Sequence, residues 1–272
     1  MTKREKIEDD ICDTILKTYN AFEKSFLINI PFWICYITII VFLSLRYSKN
    51  TSFICQIFEI FSGLFTTLIT IVIGYWIHVL SHRVKFTDLY FNFLKSDNII
   101  SKILKKTPYW CHKMIYLYSY YILDFHTNIH HNSECNKKIY NILFEFIENI
   151  FTQSIGLIIL LYIIKPKLVI FNCELKLNST LILLWGFLYA TIHLINYDMI
   201  NCESHSEHHK NSDFNFGPDF LDIFYNSKDD NSHIEDFNHG IINLIIICIV
   251  LVLFKDYKSD NIFLNFIQKI LE

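Results

Sequence analysis

Histidine clusters are the feature of this sequence best suited to chemistry. Nine of the twelve histidines in the 272 residues fall in three short clusters or in the approach to the last one. The first cluster is His78 and His82, the second is His126, His130 and His131, and the third is His205, His208 and His209, approached by His193. Neutral imidazole is a preferred ligand of transition metals. The clusters therefore predict a polynuclear metal site at a membrane surface.

The spacing within each cluster decides whether its rings can point at one object. Residues three or four positions apart share a face of an α-helix, and this spacing is present in the first and third clusters. The second cluster is wider, because its members fall at 0°, about 40° and about 140° around a regular helix. A π-bulge, which adds one residue to a turn, would restore a common face, and a nonhelical turn would do the same.

An ordinary structural role is the alternative for each cluster. His78 and His82 could simply end a membrane segment, and a lone histidine such as His193 is commonly a satisfied core residue. The remaining histidines are expected at the surface or behind the ligands, and among these three His239 is the best placed to be an exception. They are His112, His233 and His239.

Composition and apolar runs predict an all-α integral membrane protein. Apolar residues make up 52% of the chain, whereas glycine and proline are scarce. About 20 apolar residues in a helix span a bilayer. Four apolar segments are expected to form a four-helix transmembrane bundle: residues 26–45, 53–77, 150–164 and 180–198. Residues 241–254 look too short to cross, so 241–272 is expected to be an apolar packing helix and a tail.

Four crossings would return all three clusters to the side of the N-terminus. Residues 78–148 and 199–240 would then form a cap on that side of a single membrane domain that includes the whole chain. The same side carries the larger share of lysine and arginine, which marks the cytosolic face of membrane proteins. The cap is therefore expected to face the cytosol.

Charge and cysteine usage exclude other classes. A net charge of -3 and the absence of a basic stripe argue against nucleic-acid binding. The eight cysteines form no CxxC pair and several lie in apolar runs. They are therefore expected to be reduced, buried thiols, not disulfides or zinc ligands.

The three clusters together resemble the histidine boxes of a known family. The motifs HxxxH at 78–82, HxxxHH at 126–131 and HxxHH at 205–209 are similar to those of the membrane fatty acid hydroxylase superfamily, which includes sterol desaturases and C-4 methyl sterol oxidases. After the last box the family has Asn-Tyr-Gly and a later Asp, and here Asn215-Phe216-Gly217 and Asp222 hold those places. The segment His193–Asp198 resembles the family's histidine-containing segment before that box. The likeness covers about residues 70–227.

The chain departs from the family pattern at several points. The second box has one extra residue, and the gap between His82 and His126 is long. Phe216 replaces the usual Tyr, and the family's Phe-Gly-Thr-like ending reads Phe224-Tyr225-Asn226-Ser227. These differences bear mainly on the role of His126.

The resemblance implies a four-helix membrane bundle under a cytosolic cap. It also implies a di-iron centre held by the nine clustered histidines, which uses O2 to hydroxylate or desaturate a fatty acyl, sphingolipid or sterol substrate. Zinc could replace iron in the isolated protein. Asp222 is expected to hydrogen-bond an imidazole ligand, with Asp124, Asp198, Glu203 and Asp219 as weaker candidates. In a eukaryotic cell the location would be the endoplasmic reticulum membrane.

Electrons would have to come from a separate protein. The sequence has no fused haem-binding domain, flavin signature or GxGxxG loop. A cytochrome b-type haem protein or a ferredoxin is therefore the expected donor.

Two further classes are open alternatives. A catalytically silent membrane protein could keep the metal or lipid pocket for binding alone. A metal transporter fits less well, because its histidines should line a path through the bilayer. An intramembrane hydrolase is disfavoured, since neither GxSxG nor HExxH is present.

Overall fold

The computed structural model describes residues 3–48, 52–132, 135, 138–164, 168–170, 173–229 and 232–257. These residues are mostly helical, as predicted, and the remainder consists of two short strands and the connecting turns and loops. The chain forms two compact units: a large unit of residues 1–75 and 149–272, and a small unit of residues 76–148. The expected tail after residue 257 lies outside the described residues.

The helices follow one another with short connections. In chain order the α-helices are α1 (Lys3–Ile28), α2 (Ile30–Arg46), α3 (Phe53–Arg83), α4 (Phe86–Lys95), α5 (Ile99–Leu104), α6 (Tyr109–Tyr118), α7 (Ile139–Ile150), α8 (Gly156–Ile164), α9 (Ser179–Thr191), α10 (Tyr197–Ile200), α11 (Glu203–Lys210), α12 (Asp219–Tyr225) and α13 (Ile241–Asp256). Among them lie the π-helical segments Ser119–Leu123, His126–His130, Phe151–Ile155 and Ile192–Asn196, and the 3-10 turn Phe237–Gly240. The antiparallel strands β1 (Leu168–Ile170) and β2 (Cys173–Leu175) form a hairpin between α8 and α9.

Four helical stretches in the described part of the chain are long and apolar enough to cross a membrane. They are Phe53–Arg83, Ile139–Ile164, Ser179–Ile200 and Phe237–Asp256. This fits a membrane protein, but two expected bounds were wrong. The third span begins at Ile139 because the helix continues through the polar residues before 150. The last stretch is 20 residues long, because the 3-10 turn Phe237–Gly240 precedes α13 without a break. It therefore reaches the length needed to cross a bilayer, which residues 241–254 alone do not.

The expected first span, residues 26–45, is broken near its start. α1 and α2 meet at an angle of 69° on either side of Asn29. Pro31 lies in the first turn of α2, where a helix tolerates it, as predicted. The fully buried Asn29 side chain donates to the carbonyls of Ser25 and Glu235 and accepts from the Phe237 amide. The sequence-based interpretation as one straight helix missed this elbow, because the apolar pattern continues through it.

Helix α9 lies at the centre of the large unit. Its residues Leu181, Ile182, Leu184 and Leu188 have no exposed surface, as expected for a helix that is apolar all round. Close packing requires a small residue at Gly186, where an added Cβ would lie 2.2 Å from the Ser154 hydroxyl oxygen. The helices that carry chemistry in this unit are thus anchored to a tightly packed core.

One disulfide contradicts the expectation of reduced thiols. Cys55 in the first turn of α3 is bonded to Cys173 in β2, with 5.2 Å between the two Cα atoms. The cysteines are 118 positions apart in the chain, so their pairing could not be read from local spacing. The cysteines that the structure describes as free are Cys35, Cys111, Cys135, Cys202 and Cys248.

Candidate metal centre

In the small unit, three imidazoles from two distant parts of the chain meet. The last turns of α3 carry His78 and His82, and the π-helical segment His126–His130 carries His126. The Nε2 atoms of His78 and His126 are 3.0 Å apart, those of His126 and His82 are 3.0 Å apart, and those of His82 and His78 are 3.3 Å apart. His78 and His126 are buried.

This triangle of nitrogen atoms has the dimensions of a metal-ligand set. Neighbouring imidazole nitrogens bound about 2.0–2.1 Å from one octahedral or tetrahedral ion lie about 2.8–3.4 Å from one another. Hydrogen bonding alone explains the arrangement less well, because a neutral ring carries one N–H group and cannot aim it at two neighbours. The donor set therefore fits a metal ion.

Of the two conformations expected for the second cluster, a π-bulge or a nonhelical turn, the structure has the π-helical one. The His131 amide donates to the His126 carbonyl, five residues back, at 3.2 Å. One ligand nitrogen from each of His126, His130 and His131 falls in a group whose atoms all lie within 4.8 Å of one another. The extra residue in this box is thus accommodated as a π-helical turn.

A buried carboxylate orients one ring of the second cluster. Oε1 of Glu145 in α7 lies 2.7 Å from Nδ1 of His130, and both side chains are almost fully buried, at 3% and 6% exposure. A carboxylate on one ring nitrogen fixes the tautomer and leaves the other nitrogen for a metal. Sequence reasoning missed Glu145. A carboxylate inside the apolar stretch NILFEFIENI is a signal that could have found it.

The third cluster lies in the large unit and is held differently. His193 lies in the π-helical segment Ile192–Asn196, and its ring centroid is 4.5 Å from that of His205 in α11. Along α11 the Nε2 atoms of His205 and His209 approach to 3.1 Å. His193, His205 and His209 thus come together within this unit.

His208 is fixed by the backbone of the loop that follows α11. Its fully buried ring places Nδ1 2.6 Å from the Phe214 carbonyl oxygen, which can only accept. Nδ1 therefore carries the proton and Nε2 keeps a free lone pair, the form that binds a metal. The carbonyl performs for His208 the task that Glu145 performs for His130.

Asp222 acts on this loop and not on an imidazole, which corrects the expectation for it. Its buried carboxylate accepts hydrogen bonds from the Phe216 amide at 3.0 Å, the Gly217 amide at 2.6 Å and the Ser227 hydroxyl at 2.7 Å. Gly217 has a φ of +63°, a conformation that favours glycine. Asp222 thus holds the loop whose Phe214 carbonyl orients His208.

The weaker carboxylate candidates also bind elsewhere. Asp124 accepts from the backbone amides of Phe86 and Thr87 at the start of α4. Glu203 contacts the exposed ring of His233. Asp198 acts on the third cluster only through its charge, which raises the pKa of His209 against the larger effect of burial.

Asp219 belongs to a buried charged network beneath α11. It accepts from Lys228 Nζ at 2.7 Å and from the Glu235 amide at 2.6 Å. Lys228 also donates to the Ser204 hydroxyl at 2.6 Å, which links the network to the helix of the third cluster. Burial, followed by the charge of Asp219, raises the pKa of Glu235 well above its usual value.

Burial lowers the pKa of four of the clustered histidines. It lowers the pKa of His126 well below the ordinary value, and the neighbouring histidines lower it further. Burial also lowers the pKa of His205 well below the ordinary value and the pKa of His208 to about 4. It lowers the pKa of His209 as well. Burial thus favours the neutral form of these four rings, which is the form that metal binding requires.

The remaining three histidines take structural places. His112 contacts the Tyr90 hydroxyl at 2.5 Å and the Thr107 hydroxyl at 3.0 Å. His239, the expected exception, accepts at Nδ1 from the Asn196 amide at 2.9 Å. His233 is exposed beside Glu203. None of the three joins a group of converging ligand atoms among the described residues.

Comparisons of the chain with protein-family models, curated proteins and solved structures gave no match. What the molecule itself establishes is a helical chain with membrane-span-like helices and groups of histidines that could hold a metal ion. In the small unit His78 and His82 converge with His126, and His126 converges with His130 and His131. In the large unit the rings of His193, His205 and His209 come together.

Proposed function

We propose that this chain is an O2-dependent, lipid-modifying membrane oxidoreductase, a hydroxylase or desaturase of fatty acyl, sphingolipid or sterol substrates. The observation that carries the proposal is the triangle of Nε2 atoms of His78, His82 and His126, whose edges of 3.0–3.3 Å suit ligands of one ion. The histidine-box resemblance adds the reaction class. The two histidine sets would hold two iron ions, and zinc would be a substitute in isolated protein.

Histidine-bound iron supplies the one-electron chemistry by which O2 attacks an unactivated C–H bond. The residues of the chain bind and orient. In the small unit Glu145 holds the His130 ring, and in the large unit the Phe214 carbonyl holds the His208 ring. The low pKa of His208, about 4, keeps its lone pair available to a metal at neutral pH.

The proposed reaction needs two electrons and two protons for each O2. Hydroxylation places one oxygen atom in the lipid and releases one water, whereas desaturation removes two hydrogen atoms from the lipid and releases two waters. A separate cytochrome b-type haem protein or ferredoxin would supply the electrons. In a eukaryotic cell we place the enzyme in the endoplasmic reticulum membrane with its histidines facing the cytosol.

An apolar groove at the elbow of the large unit supports a lipid substrate. It has a volume of about 330 Å³ and is lined by Phe22, Phe26, Ile30, Trp33, Ile34 and Phe220, among other residues. Its α2 wall continues into further exposed apolar side chains of α2, which is long and apolar enough to cross a membrane only when it is taken together with α1. Phe220 belongs to α12, the helix that also carries Asp222. A hydrocarbon chain from the bilayer is the occupant that such a groove fits.

The test uses the full chain in lipid nanodiscs, loaded with ferrous iron under anaerobic conditions. Iron per chain is measured by mass spectrometry, and labelled product lipids are measured after addition of ¹⁸O2, a reductant and a haem-protein or ferredoxin donor. We expect about two irons per chain and product lipids whose formation depends on the donor. The His126→Ala variant should lose product, whereas His112→Ala should retain it.

Each failure has a separate meaning. Absence of bound metal in the wild-type chain would reject the metal centre. Two bound irons with no lipid product across acyl, sphingolipid and sterol panels would reject the enzyme and favour the silent binding protein. Turnover without any added donor or reductant would reject the external electron source.

A further inference from the structure

One end of the large unit gathers the disulfide and several helix termini. The Cys55–Cys173 bond joins the start of α3 to β2. Close by, the Ser62 hydroxyl donates to the Lys176 carbonyl at 2.5 Å, and Lys255 near the end of α13 donates to the Thr180 hydroxyl at 3.1 Å. The end of α2 joins the same place, because Arg46 pairs with Asp256. These residues define the disulfide end of the large unit.

The opposite end of the same unit carries the third cluster. Helix α9 begins beside Asn178, and its π-helical continuation reaches His193 some 15 residues later, about 22 Å along a helical axis. The other terminus of α13 lies here as well, since Asn196 donates to the carbonyl of His239 at 3.1 Å. The stretch Phe237–Asp256 therefore links the two ends over 20 residues, about 30 Å, which is the thickness of a bilayer core.

Because disulfides persist only in oxidising compartments, the Cys55–Cys173 bond indicates on which side of the membrane each end of the large unit lies. Disulfides persist in the endoplasmic reticulum lumen, the periplasm and the cell exterior, and they are reduced in the cytosol. Cys55 and Cys173 are 9% and 2% exposed, so this pair packs as a structural element. At the other end Cys202, which precedes α11, is a free thiol.

We infer that the Cys55–Cys173 end of the large unit lies in an oxidising compartment and that its third-cluster end lies on the reducing, cytosolic side. The disulfide thus links the β1–β2 hairpin covalently to α3 on the non-cytosolic side of the membrane. This inference uses neither a bound metal nor the proposed reaction. It agrees with the lysine and arginine distribution but has an independent physical basis.

Two exposed positions make a matched pair of reporters for the full chain. Lys176 lies at the disulfide end and Ser212 lies just after α11, and both side chains are exposed. The variants Lys176→Cys and Ser212→Cys are expressed separately in eukaryotic cells, and microsomes with the cytosolic face outward are treated with a membrane-impermeant maleimide. Peptide mass spectrometry then measures labelling at each reporter, with and without detergent.

We expect Ser212→Cys to be labelled in sealed microsomes and Lys176→Cys to gain at least about tenfold in labelling when detergent opens the membrane. Labelling of both reporters without detergent, or the reverse protection pattern, would overturn the inference. The native cysteines give a second measurement. After trapping with a permeant alkylating agent in living cells, Cys55 and Cys173 should be recovered as one crosslinked peptide, and recovery of both as alkylated thiols would also overturn the assignment.

Discussion

The two histidine sets reach similar chemistry by different structural means. In the small unit, His78 and His82 project from the end of a long helix, and a buried side-chain carboxylate orients His130. In the large unit, His208 sits on the eight-residue helix α11 and is oriented by a loop carbonyl. The first set depends on helices fixed by packing, whereas the second depends on a loop fixed by hydrogen bonds.

This difference separates the residues on which each set depends. A side-chain carboxylate can be removed by one substitution, so the small-unit set should be sensitive to Glu145 directly. A backbone carbonyl cannot be removed in that way, so the large-unit set should be sensitive to the groups that shape its loop. Asp222, with three hydrogen bonds to that loop and to Ser227, is the first of these groups.

The largest expected loss of metal affinity comes from removing His126, one of the three imidazoles whose Nε2 atoms meet in the small unit. His126 contacts both His78 and His82, so His126→Ala removes two of the three edges at once. We expect metal affinity of this set to fall on the order of 100-fold or more, since loss of a supporting residue alone costs about 10–100-fold. Metal titration of the purified chain measures it, with His112→Ala as the control. Unchanged stoichiometry and affinity would contradict the triangle as a ligand set.

Next in size is the loss of the carboxylate behind His130. Glu145→Gln keeps the shape of the side chain but removes the charge that holds the ring, so metal affinity of the small-unit set should fall about 10–100-fold. The large-unit set should be unaffected. Asp88→Asn, an exposed carboxylate of the same unit, is the control. An equal fall in metal affinity in both histidine sets would contradict a role of Glu145 that is specific to the small unit.

A smaller effect is expected from Asp222→Asn. The amide group can accept from only some of the three donors and turns its own N–H groups toward the others, which leaves buried groups unsatisfied. The free energy of unfolding should fall by about 1–3 kcal/mol, and metal affinity should weaken only in the large-unit set. Thermal unfolding in detergent measures the change, with the exposed Asp213→Asn of the same loop as the matched control. A variant as stable as Asp213→Asn would contradict the role assigned to Asp222.

The smallest effect concerns pH in the metal-free chain. The folded pKa of His208, about 4, lies below its ordinary value of 6.5, so the unfolded state binds the proton more readily. Stability from this ring is present above pH 6.5 and is lost as pH falls toward 4, by about 1 kcal/mol at pH 5.5. The free energy of unfolding in detergent, measured above pH 6.5 and at pH 5.5, should show this loss, and the loss should be smaller in the His208→Gln variant. A profile unchanged by the substitution would assign the effect to other groups.

The sequence was most informative where one local pattern decides the structure. Apolar runs predicted the helical membrane class, and the His126–His131 spacing predicted a π-bulge or a turn, of which the π-helix is found. Helical spacing also foresaw that the Nε2 atoms of His205 and His209 could approach each other. In these cases neighbours in sequence are neighbours in space.

Features that depend on distant contacts were missed or assigned wrongly. Glu145 and His130 approach only when α7 packs beside the π-helical segment, and Cys55 and Cys173 meet only across the fold. Asp222 was given an imidazole as its partner, whereas it binds amides that are exposed by the turn at Gly217. A one-dimensional pattern identifies which residues carry chemistry but not which tertiary partner each one finds.

The elbow at Asn29 has a practical consequence for handling the protein. α1 leaves α2 at 69°, and the side-chain amides of Asn29 and Asn238 both tie the junction to the segment before α13. A tag fused rigidly to α1 would restrict that junction, which contacts Glu235 of the charged network under α11. Such a fusion needs a flexible spacer before Lys3.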